Sequence, residues 1–182
     1  MIATSSAEAV GPVPDGAVVL IGGFGEAGNP TELVHALIDT RARHLTVVNN
    51  NAGNGRRGIR AGGAGVAAFF TRTAAGTMLA ADKETREFNG HLHVLETAIR
   101  GDLALIKAAR GDCFGNLVFN KAARNFNPVM CTAAERTVVQ VQELLHEPLD
   151  PELIVTPGIY VDCVVRIADP VREHEFLLSD AQ

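Results

Sequence analysis

The chain has 182 residues, of which 47% are hydrophobic and 20% are charged, so wholesale disorder is excluded. No run of 18 apolar residues predicts a membrane span, and the first residues, MIATSSAE, predict no signal peptide. The formal net charge of −5 argues against nonspecific nucleic-acid binding. Three widely spaced cysteines without a Cys-x-x-Cys pair argue against disulfides or structural zinc, and favour the reducing cytoplasm.

The first predicted unit is a β–α–β crossover. Residues 1–14 are polar and small, and we expect them to form a loose lead-in. The apolar run at 17–21 predicts a buried parallel strand, and a glycine-rich loop follows at 22–28. Asn29 is expected to cap the next helix, and residues 45–48 predict a second buried strand. The unit therefore reads strand, glycine loop, helix, strand.

The rest of the chain is predicted to be richer in strands. About twenty residues from Asn49 onward contain no convincing helix or strand. Asn89-Gly90 lies between two strand-like runs and predicts a tight hairpin. Further strands are predicted at 103–106, 117–119, 137–141, 154–155 and 159–165, with a helix at 129–135. The fold class is therefore α/β, a mostly parallel sheet flanked by helices with an antiparallel hairpin portion. One domain over 15–168 and a polar tail over 169–182 are expected.

The glycine loop admits more than one interpretation. Gly23-x-Gly25-x-x-Gly28 fits a dinucleotide fingerprint between a strand and a helix, which is the context that such a fingerprint requires. A nicotinamide site also needs an acidic residue at the end of the second strand, where this chain has asparagines from Asn49 to Asn51. Nicotinamide binding is therefore disfavoured, and a tight turn without any ligand is an alternative.

Other candidate motifs favour simple structural roles. The Asn-Asn-Ala-Gly string resembles one in short-chain dehydrogenases, but four residues after Tyr160 the required lysine is replaced by Val164. His91 and His93 are two residues apart in a strand-like segment, a spacing that could place two metal ligands on one face. No third ligand is evident in the sequence, so we expect solvated histidines and no metal.

Residue chemistry also limits what the cysteines and arginines can be expected to do. Cys131 and Cys163 lie in apolar segments and are expected to be buried. Arg56, Arg57 and Arg60 form either a solvated loop or a phosphate contact.

A series of longer strings extends far beyond the glycine pattern. DGAVVLIGGFGEAGNP occupies 15–30, and the strings that follow in order are LTVVNNNAGNG at 45–55, RAGGAGVAAFFT at 60–71, KETREFNG at 83–90, DLALIKA at 102–108, ARNFNPVM at 123–130 and TPGIYVD at 156–162. In this order they resemble the A subunit of the family I coenzyme A transferases, the 3-oxoacid and 3-oxoadipate CoA-transferases. The resemblance covers about residues 15–165.

This resemblance implies a heteromeric enzyme that moves coenzyme A from succinyl-CoA to a 3-oxo acid. It implies that a glutamate of the B subunit, in a Ser-Glu-Asn-Gly-like motif, attacks the acyl-CoA to give an acyl-glutamyl anhydride and then a glutamyl-CoA thioester. No Ser-Glu-x-Gly string occurs here, so no catalytic residue is expected in this chain. NNNAGNG is similar to the 3-oxoadipate branch, whereas EFNGHLHVLE and ARNFNPVM are similar to the acetoacetate branch, and both acceptors stay open.

The resemblance also implies two groups of site residues in this chain. The residues expected to bind coenzyme A are Gly22, Gly23, Phe24, Gly25, Glu26, Ala27 and Gly28. The residues expected to wall the substrate pocket are Asn50, Asn51, Ala52, Gly53, Gly62, Gly63 and Gly65. Backbone N–H groups exposed by glycines can stabilise the oxyanion that forms when a carboxylate attacks a thioester.

One departure from the family pattern lies at the junction after Gly55. In the family, about two strand–helix units and a Gln-Gly-[Thr/Asn]-Leu-x-Glu motif separate the Asn-Asn-Ala-Gly string from RAGGAG. Here NNNAGNG runs directly into RRGIRAGGAG. A segment after Gly55 is therefore expected to be missing. An alternative function follows, that of a non-catalytic or impaired remnant that still binds the B subunit.

Overall fold

The computed structural model of the chain describes residues 1–25, 27–49 and 55–171. In these residues the strands are β1 (Ile2–Ala3), β2 (Val18–Ile21), β3 (Thr46–Val48), β4 (Ala68–Thr71), β5 (Thr85–Phe88), β6 (His91–Thr97), β7 (Gly101–Gly111), β8 (Leu117–Val118), β9 (Ala134–Leu144) and β10 (Cys163–Arg166). The α-helices are α1 (Ser6–Val10), α2 (Thr31–Asp39), α3 (Gly55–Gly63) and α4 (Asn127–Cys131). Single 3-10 turns lie at Met78–Ala80, Lys121–Arg124, Pro151–Leu153 and Gly158–Tyr160.

The main sheet has the strand order β1-β10-β9-β7-β2-β3, and each neighbouring pair in this order is parallel. Strand β8 pairs with β7 in the antiparallel direction. A second, smaller sheet has the order β4-β6-β5 and is antiparallel. The predicted fold class is confirmed, and so is the hairpin at Asn89-Gly90, where β5 turns into β6.

The alternation of side chains along the strands produces two hydrophobic cores, one on each face of the main sheet. On one face, Val19 and Leu105 pack with Leu33 and Leu37 of α2 and with α1. On the other face, the strand residues pack against Ile59 of α3 and against α4. The protein is therefore a three-layer α/β structure, in which the parallel strands are covered on both faces.

Residues 1–14 do not form the loose lead-in that we predicted. Ile2 and Ala3 pair with β10, and α1 buries Ala9 and Val10 against the sheet. Arg136 reinforces this contact by donating to the Val10 carbonyl at 2.6 Å. The sequence of residues 1–14 did not predict these elements, because β1 and α1 are stabilised by contacts with residues more than 120 positions away.

Two predictions around the first crossover are also wrong. Strand β3 exists, but it is an exposed edge strand in which Val47 is 53% exposed, because the order of the described sheet ends at β3. The segment that we expected to be irregular contains α3, which places Ile59 in the core. Its glycines lower the intrinsic helix propensity, and this hides the helix in the sequence.

The other elements lie close to their predicted positions. The helix predicted at 129–135 is α4, which ends at Cys131, and β9 begins at Ala134. The stretch at 159–165 divides into a 3-10 turn and β10. Residues 172–182, most of the predicted polar tail, lie outside the described residues. No helix in the described part of the chain is long and apolar enough to cross a membrane.

The three cysteines differ in accessibility, and this yields a first prediction. Cys131 and Cys163 are buried, as expected, whereas Cys113 is exposed. Burial raises the pKa of the Cys131 thiol to about 12, so little reactive thiolate forms there at neutral pH. We expect Ellman's reagent at pH 8 to titrate one thiol rapidly in the folded chain, and the other two only after unfolding. Cys113→Ser should abolish the rapid reaction, and two rapid thiols in the parent protein would contradict this assignment.

Candidate functional site

The site lies where the order of the parallel strands reverses. From β2, the chain crosses through α2 to β3 on one side, whereas β7 pairs with β2 on the other side. In open parallel sheets, ligands bind in the crevice outside the carboxyl ends of the strands at such a switch point. The glycine loop, residues 22–28, follows the carboxyl end of β2 at this position.

Internal hydrogen bonds hold the glycine loop in a tight turn. The Gly22 amide donates to the Leu105 carbonyl of β7 at 2.9 Å. The amides of Phe24 and Ala27 donate to each other's carbonyls at 3.0 and 3.2 Å, which closes the tip of the loop. These three amides are engaged within the protein, so an oxyanion stabilised by the loop must use its other amides.

The glycines of the loop have different physical roles. A Cβ at Gly22 would overlap the carboxamide of Asn127, and a Cβ at Gly23 would overlap that of Asn29. A Cβ at Gly28 would lie 2.9 Å from the Ala123 carbonyl oxygen. Packing within the protein therefore requires these three glycines. At Gly25, φ is +57° and no atom lies within 4 Å of a Cβ position, so only this glycine faces open space.

Asn29 supports the loop rather than capping the next helix. The N-cap of α2 is Pro30, and the Asn29 side chain instead donates to the Gly25 carbonyl at 2.5 Å. The first turn of α2 is held by Gln140 of β9, which accepts from the Leu33 amide and donates to Glu32. The predicted capping role of Asn29 is therefore wrong: Pro30 is the N-cap, and Gln140, distant in sequence, accepts from an amide of the first turn.

Asn127 is a fully buried polar residue that ties the loop to β7. Its Oδ1 accepts from the Lys107 amide at 3.1 Å, and its Nδ2 donates to the carbonyls of Ala123 at 2.8 Å and Gly28 at 3.2 Å. Asn125 adds a second tie by donating from Nδ2 to the Ala27 carbonyl at 2.7 Å. Neither asparagine was singled out as a site residue, although both lie in the string ARNFNPVM.

Residues of the segment 120–127 line two clefts. The first, which we call the basic cleft, has a volume of about 680 Å³, and its charged lining residues are Arg56, Arg60, Lys121 and Arg124. The second, which we call the polar groove, has a volume of about 690 Å³ and contains Gly28 of the loop together with Lys107 and Asn120. The basic cleft thus has only cations among its charged lining residues, whereas the polar groove has both a cation, Lys107, and an anion, Asp169.

The structure divides the predicted arginine cluster. Arg56 and Arg60 line the basic cleft, and the Arg56 guanidinium lies 5.9 Å from the centre of the Phe126 ring. Arg57, between them in sequence, donates to the Thr73 hydroxyl at 2.8 Å and is not among the residues of the cleft. Because successive residues of a helix point in different directions, Arg57 faces away from the cleft that Arg56 and Arg60 line.

The glycines predicted to wall the substrate pocket at 62, 63 and 65 lie at the end of α3. Gly62 is buried, and a Cβ there would overlap the Ile99 carbonyl, so α3 packs closely on that backbone. Gly63 lines the basic cleft beside Thr132. Gly65 has φ +72° and ends α3 in a Schellman motif, in which the amide after it donates to the Ala61 carbonyl. Of these three glycines, only Gly63 borders a described cleft.

The remaining predicted site residues lie outside the described part of the chain. They are Glu26, Asn50, Asn51, Ala52 and Gly53. In the described residues, no group of three or more His, Cys, Asp or Glu side chains is arranged to hold a metal ion. His93 packs edge-on against Phe88, with 5.2 Å between ring centres, and its Nδ1 lies 2.8 Å from the His91 carbonyl oxygen.

Comparison with known proteins identifies the family. The family model described as coenzyme A transferase matches residues 3–59 and 53–166, which together span most of the chain. The chain belongs to the coenzyme A transferase family. It is 40% identical to the A subunit of 3-oxoadipate CoA-transferase from Pseudomonas putida, covering 90% of this chain and 92% of that protein. It is 38% identical to the A subunit of succinyl-CoA:3-ketoacid coenzyme A transferase from Xanthomonas campestris pv. campestris, covering 95% and 91%.

A solved structure shows the same fold. Glutaconate coenzyme A-transferase from Acidaminococcus fermentans superposes with a TM-score of 0.78 at 15% identity, covering 97% of this chain and 81% of that one. The alignment with the Pseudomonas protein spans 213 positions, 31 more than the 182 residues of this chain, so at least 31 positions have no counterpart here. The two matches to the family model overlap at 53–59, where the sequence predicts the missing segment.

The position of Asn127 generates a second prediction. Asn127→Ala would remove its hydrogen bonds and leave buried backbone groups unsatisfied, so we expect a loss of about 3 kcal/mol in the free energy of unfolding. Asn120→Ala is a matched control, since Asn120 is exposed and makes no capping hydrogen bond, and its effect should stay within about 0.5 kcal/mol. Urea unfolding measures both variants. Equal stabilities of the two variants would show that Asn127 does not tie the loop to β7.

Proposed function

We propose that this chain is the A subunit of a 3-oxoacid CoA-transferase that moves coenzyme A from succinyl-CoA to a 3-oxo acid. One observation carries the proposal: relatives 38–40% identical, aligned over at least 90% of this chain, are named as A subunits of such transferases. The acceptor is 3-oxoadipate or acetoacetate, since relatives named for 3-oxoadipate and for 3-ketoacids are about equally similar.

The proposed chemistry assigns the nucleophile to the B subunit. Its glutamate carboxylate attacks the thioester carbonyl of succinyl-CoA, and loss of the CoA thiolate leaves an acyl-glutamyl anhydride. The thiolate then attacks the glutamyl carbonyl, which releases succinate and forms a glutamyl-CoA thioester. The 3-oxo acid carboxylate reverses these two steps and leaves as its CoA ester. In support, the chain contains no Ser-Glu-x-Gly string that could hold such a glutamate.

The proposed role of this chain is to bind coenzyme A and to stabilise the oxyanion. Each attack places negative charge on a carbonyl oxygen, which preorganised backbone amides stabilise well. The glycine loop supports this role because it lies at the switch point and is held rigidly by Leu105, Asn29 and Asn127. Gly25, with open space around it, is the position where a ligand can approach the backbone most closely.

The missing segment motivates a second candidate function. At least 31 positions of the Pseudomonas relative have no counterpart here, and the resemblance places a Gln-Gly motif in the absent part. A chain without that motif could bind the B subunit without turning over substrate. The two candidates share an interface and differ in turnover.

Reconstitution with a B subunit tests the proposal directly. We expect the chain to co-purify with a co-expressed B subunit, because neither partner holds the whole active site. The complex should convert succinyl-CoA and 3-oxoadipate or acetoacetate to succinate and the acceptor's CoA ester, which liquid chromatography measures. The chain alone should be inactive, and so should a complex in which the nucleophile of the partner is changed from glutamate to glutamine.

Two other results of this experiment would be decisive. Transferase activity of the chain alone would contradict the assignment of the nucleophile to the B subunit. A stable complex without turnover would favour the remnant over the active transferase.

The open position at Gly25 gives a further test. Gly25→Val would place a side chain at the tip of the loop, and we expect the Kd of coenzyme A for the complex to rise about tenfold or more. Gly90→Val is the matched control: its φ is +72°, and no atom lies within 4 Å of its Cβ position. Both variants carry a similar backbone strain of about 1–2 kcal/mol, so they differ mainly in whether the new side chain lies in the glycine loop or in the hairpin. An unchanged Kd for Gly25→Val would leave the loop as a structural turn.

A further inference from the structure

The basic cleft concentrates positive charge in an acidic protein. Its charged lining consists of Arg56, Arg60, Lys121 and Arg124, and none of the acidic residues in the described part of the chain lines it. The whole chain has a formal net charge of −5. The ion pairs recorded in the described residues are Lys83–Glu96 and Arg86–Glu84, which lie in the small antiparallel sheet region. The cations of the cleft are therefore not neutralised by these ion pairs.

The cleft is also held in a defined shape. Lys121 has φ +46°, a left-handed conformation that is rare for a residue with a side chain. Such strained positions cluster at ligand clamps, where the surrounding structure enforces them. Asn125, which follows the same 3-10 turn, donates to the carbonyls of Ala122 and Ala27 and so fixes the end of that turn. The Arg56 guanidinium lies near the Phe126 ring, which favours one position for that cation.

The cleft and the glycine loop share one structural support. Asn125 lines the cleft and also bonds to Ala27 of the loop. Asn125 thus places the cleft and the loop next to each other, and a ligand long enough to reach both would have an anionic end in the cleft and its other end at the loop. Arginine forks match phosphate oxygens well, since each guanidinium can donate two parallel hydrogen bonds.

We propose that the basic cleft binds phosphate groups, and that its ligand is the phosphorylated nucleotide end of the acyl-CoA substrate. This inference rests on the proposed function for the identity of the ligand. Coenzyme A has a diphosphate and a ribose phosphate at one end and its thiol at the other. Its phosphates thus supply the negative charge that four cations require, while the thioester stays available to the loop.

The test compares ligands that differ only in their phosphates. Isothermal titration of the complex with the B subunit would measure the binding of coenzyme A, dephospho-coenzyme A, pantetheine and inorganic pyrophosphate. The double variant Arg60→Gln/Arg124→Gln should weaken coenzyme A binding tenfold or more, because it removes two charged donors. Pantetheine, which lacks phosphate, should bind both proteins equally. The dependence of coenzyme A binding on salt should also become less steep in the variant.

Arg57→Gln is a control for the helix that carries Arg60, since it removes one positive charge from α3 at a position outside the cleft. It should bind coenzyme A as the parent protein does. Equal losses in Arg57→Gln and in the double variant, or an equal loss of pantetheine binding, would overturn the proposal. If the double variant fails to fold, the ligand affinities of the parent protein test the proposal instead. Its affinity should decrease from coenzyme A to dephospho-coenzyme A to pantetheine. Equal affinities for the three ligands would refute the proposal that the cleft binds phosphate.

Failure of the proposed function gives a different pattern. One possible result is a complex that binds pyrophosphate through Arg60 and Arg124 but neither binds coenzyme A nor transfers it. This result would support the phosphate site and contradict the proposal that acyl-CoA is its ligand. If the double variant transfers coenzyme A and binds it with unchanged affinity, the proposed function is supported and phosphate binding by the cleft is contradicted.

Discussion

The architecture of the candidate site depends on a buried carboxamide at the switch point of the sheet. Asn127 fills the space left by the missing side chain of Gly22, and it hydrogen-bonds both to β7 and to the end of the glycine loop. A buried polar group of this kind is stable only when its hydrogen bonds are made, so it permits few alternative arrangements of its neighbours. The loop, β7 and α4 are therefore held as one unit, and both clefts are defined by the same short segment.

A glycine-rich loop need not owe all its glycines to a ligand. Gly22, Gly23 and Gly28 are required by contacts with Asn127, Asn29 and Ala123, whatever the loop binds. This explains why a dinucleotide-like spacing occurs in a coenzyme A transferase: a strand, a tight turn and a helix impose similar packing in both folds. The part of the pattern that can report on a ligand is Gly25, where no neighbouring atom would contact a Cβ, although its φ of +57° also favours glycine.

The edge of the main sheet agrees with the prediction that a segment is missing after Gly55. Parallel strands are normally covered on both faces, yet β3 is the last strand of the described sheet and is largely exposed. The chain runs from β3 toward the junction at 53–59, where the two family matches meet. An exposed final strand is what the loss of neighbouring sheet elements would leave. The glycine loop follows the carboxyl end of β2 and keeps its contacts with β7 and with Asn127 of α4, so the fold at the candidate site persists.

Local pattern determined much of this protein. Runs of apolar residues predicted β2 and β7 because a buried parallel strand needs no partner information to be recognised, and the ordered strings around the loop indicated the family. Tertiary structure alone decided the rest. Helix α3 exists despite its glycines because they let it approach Ile99 and Thr132, and α1 is ordered by Arg136, far away in sequence. The basic cleft joins Arg56 and Arg60 to Lys121 and Arg124 across more than sixty positions, because folding brings α3 next to α4, and no local pattern encodes that proximity.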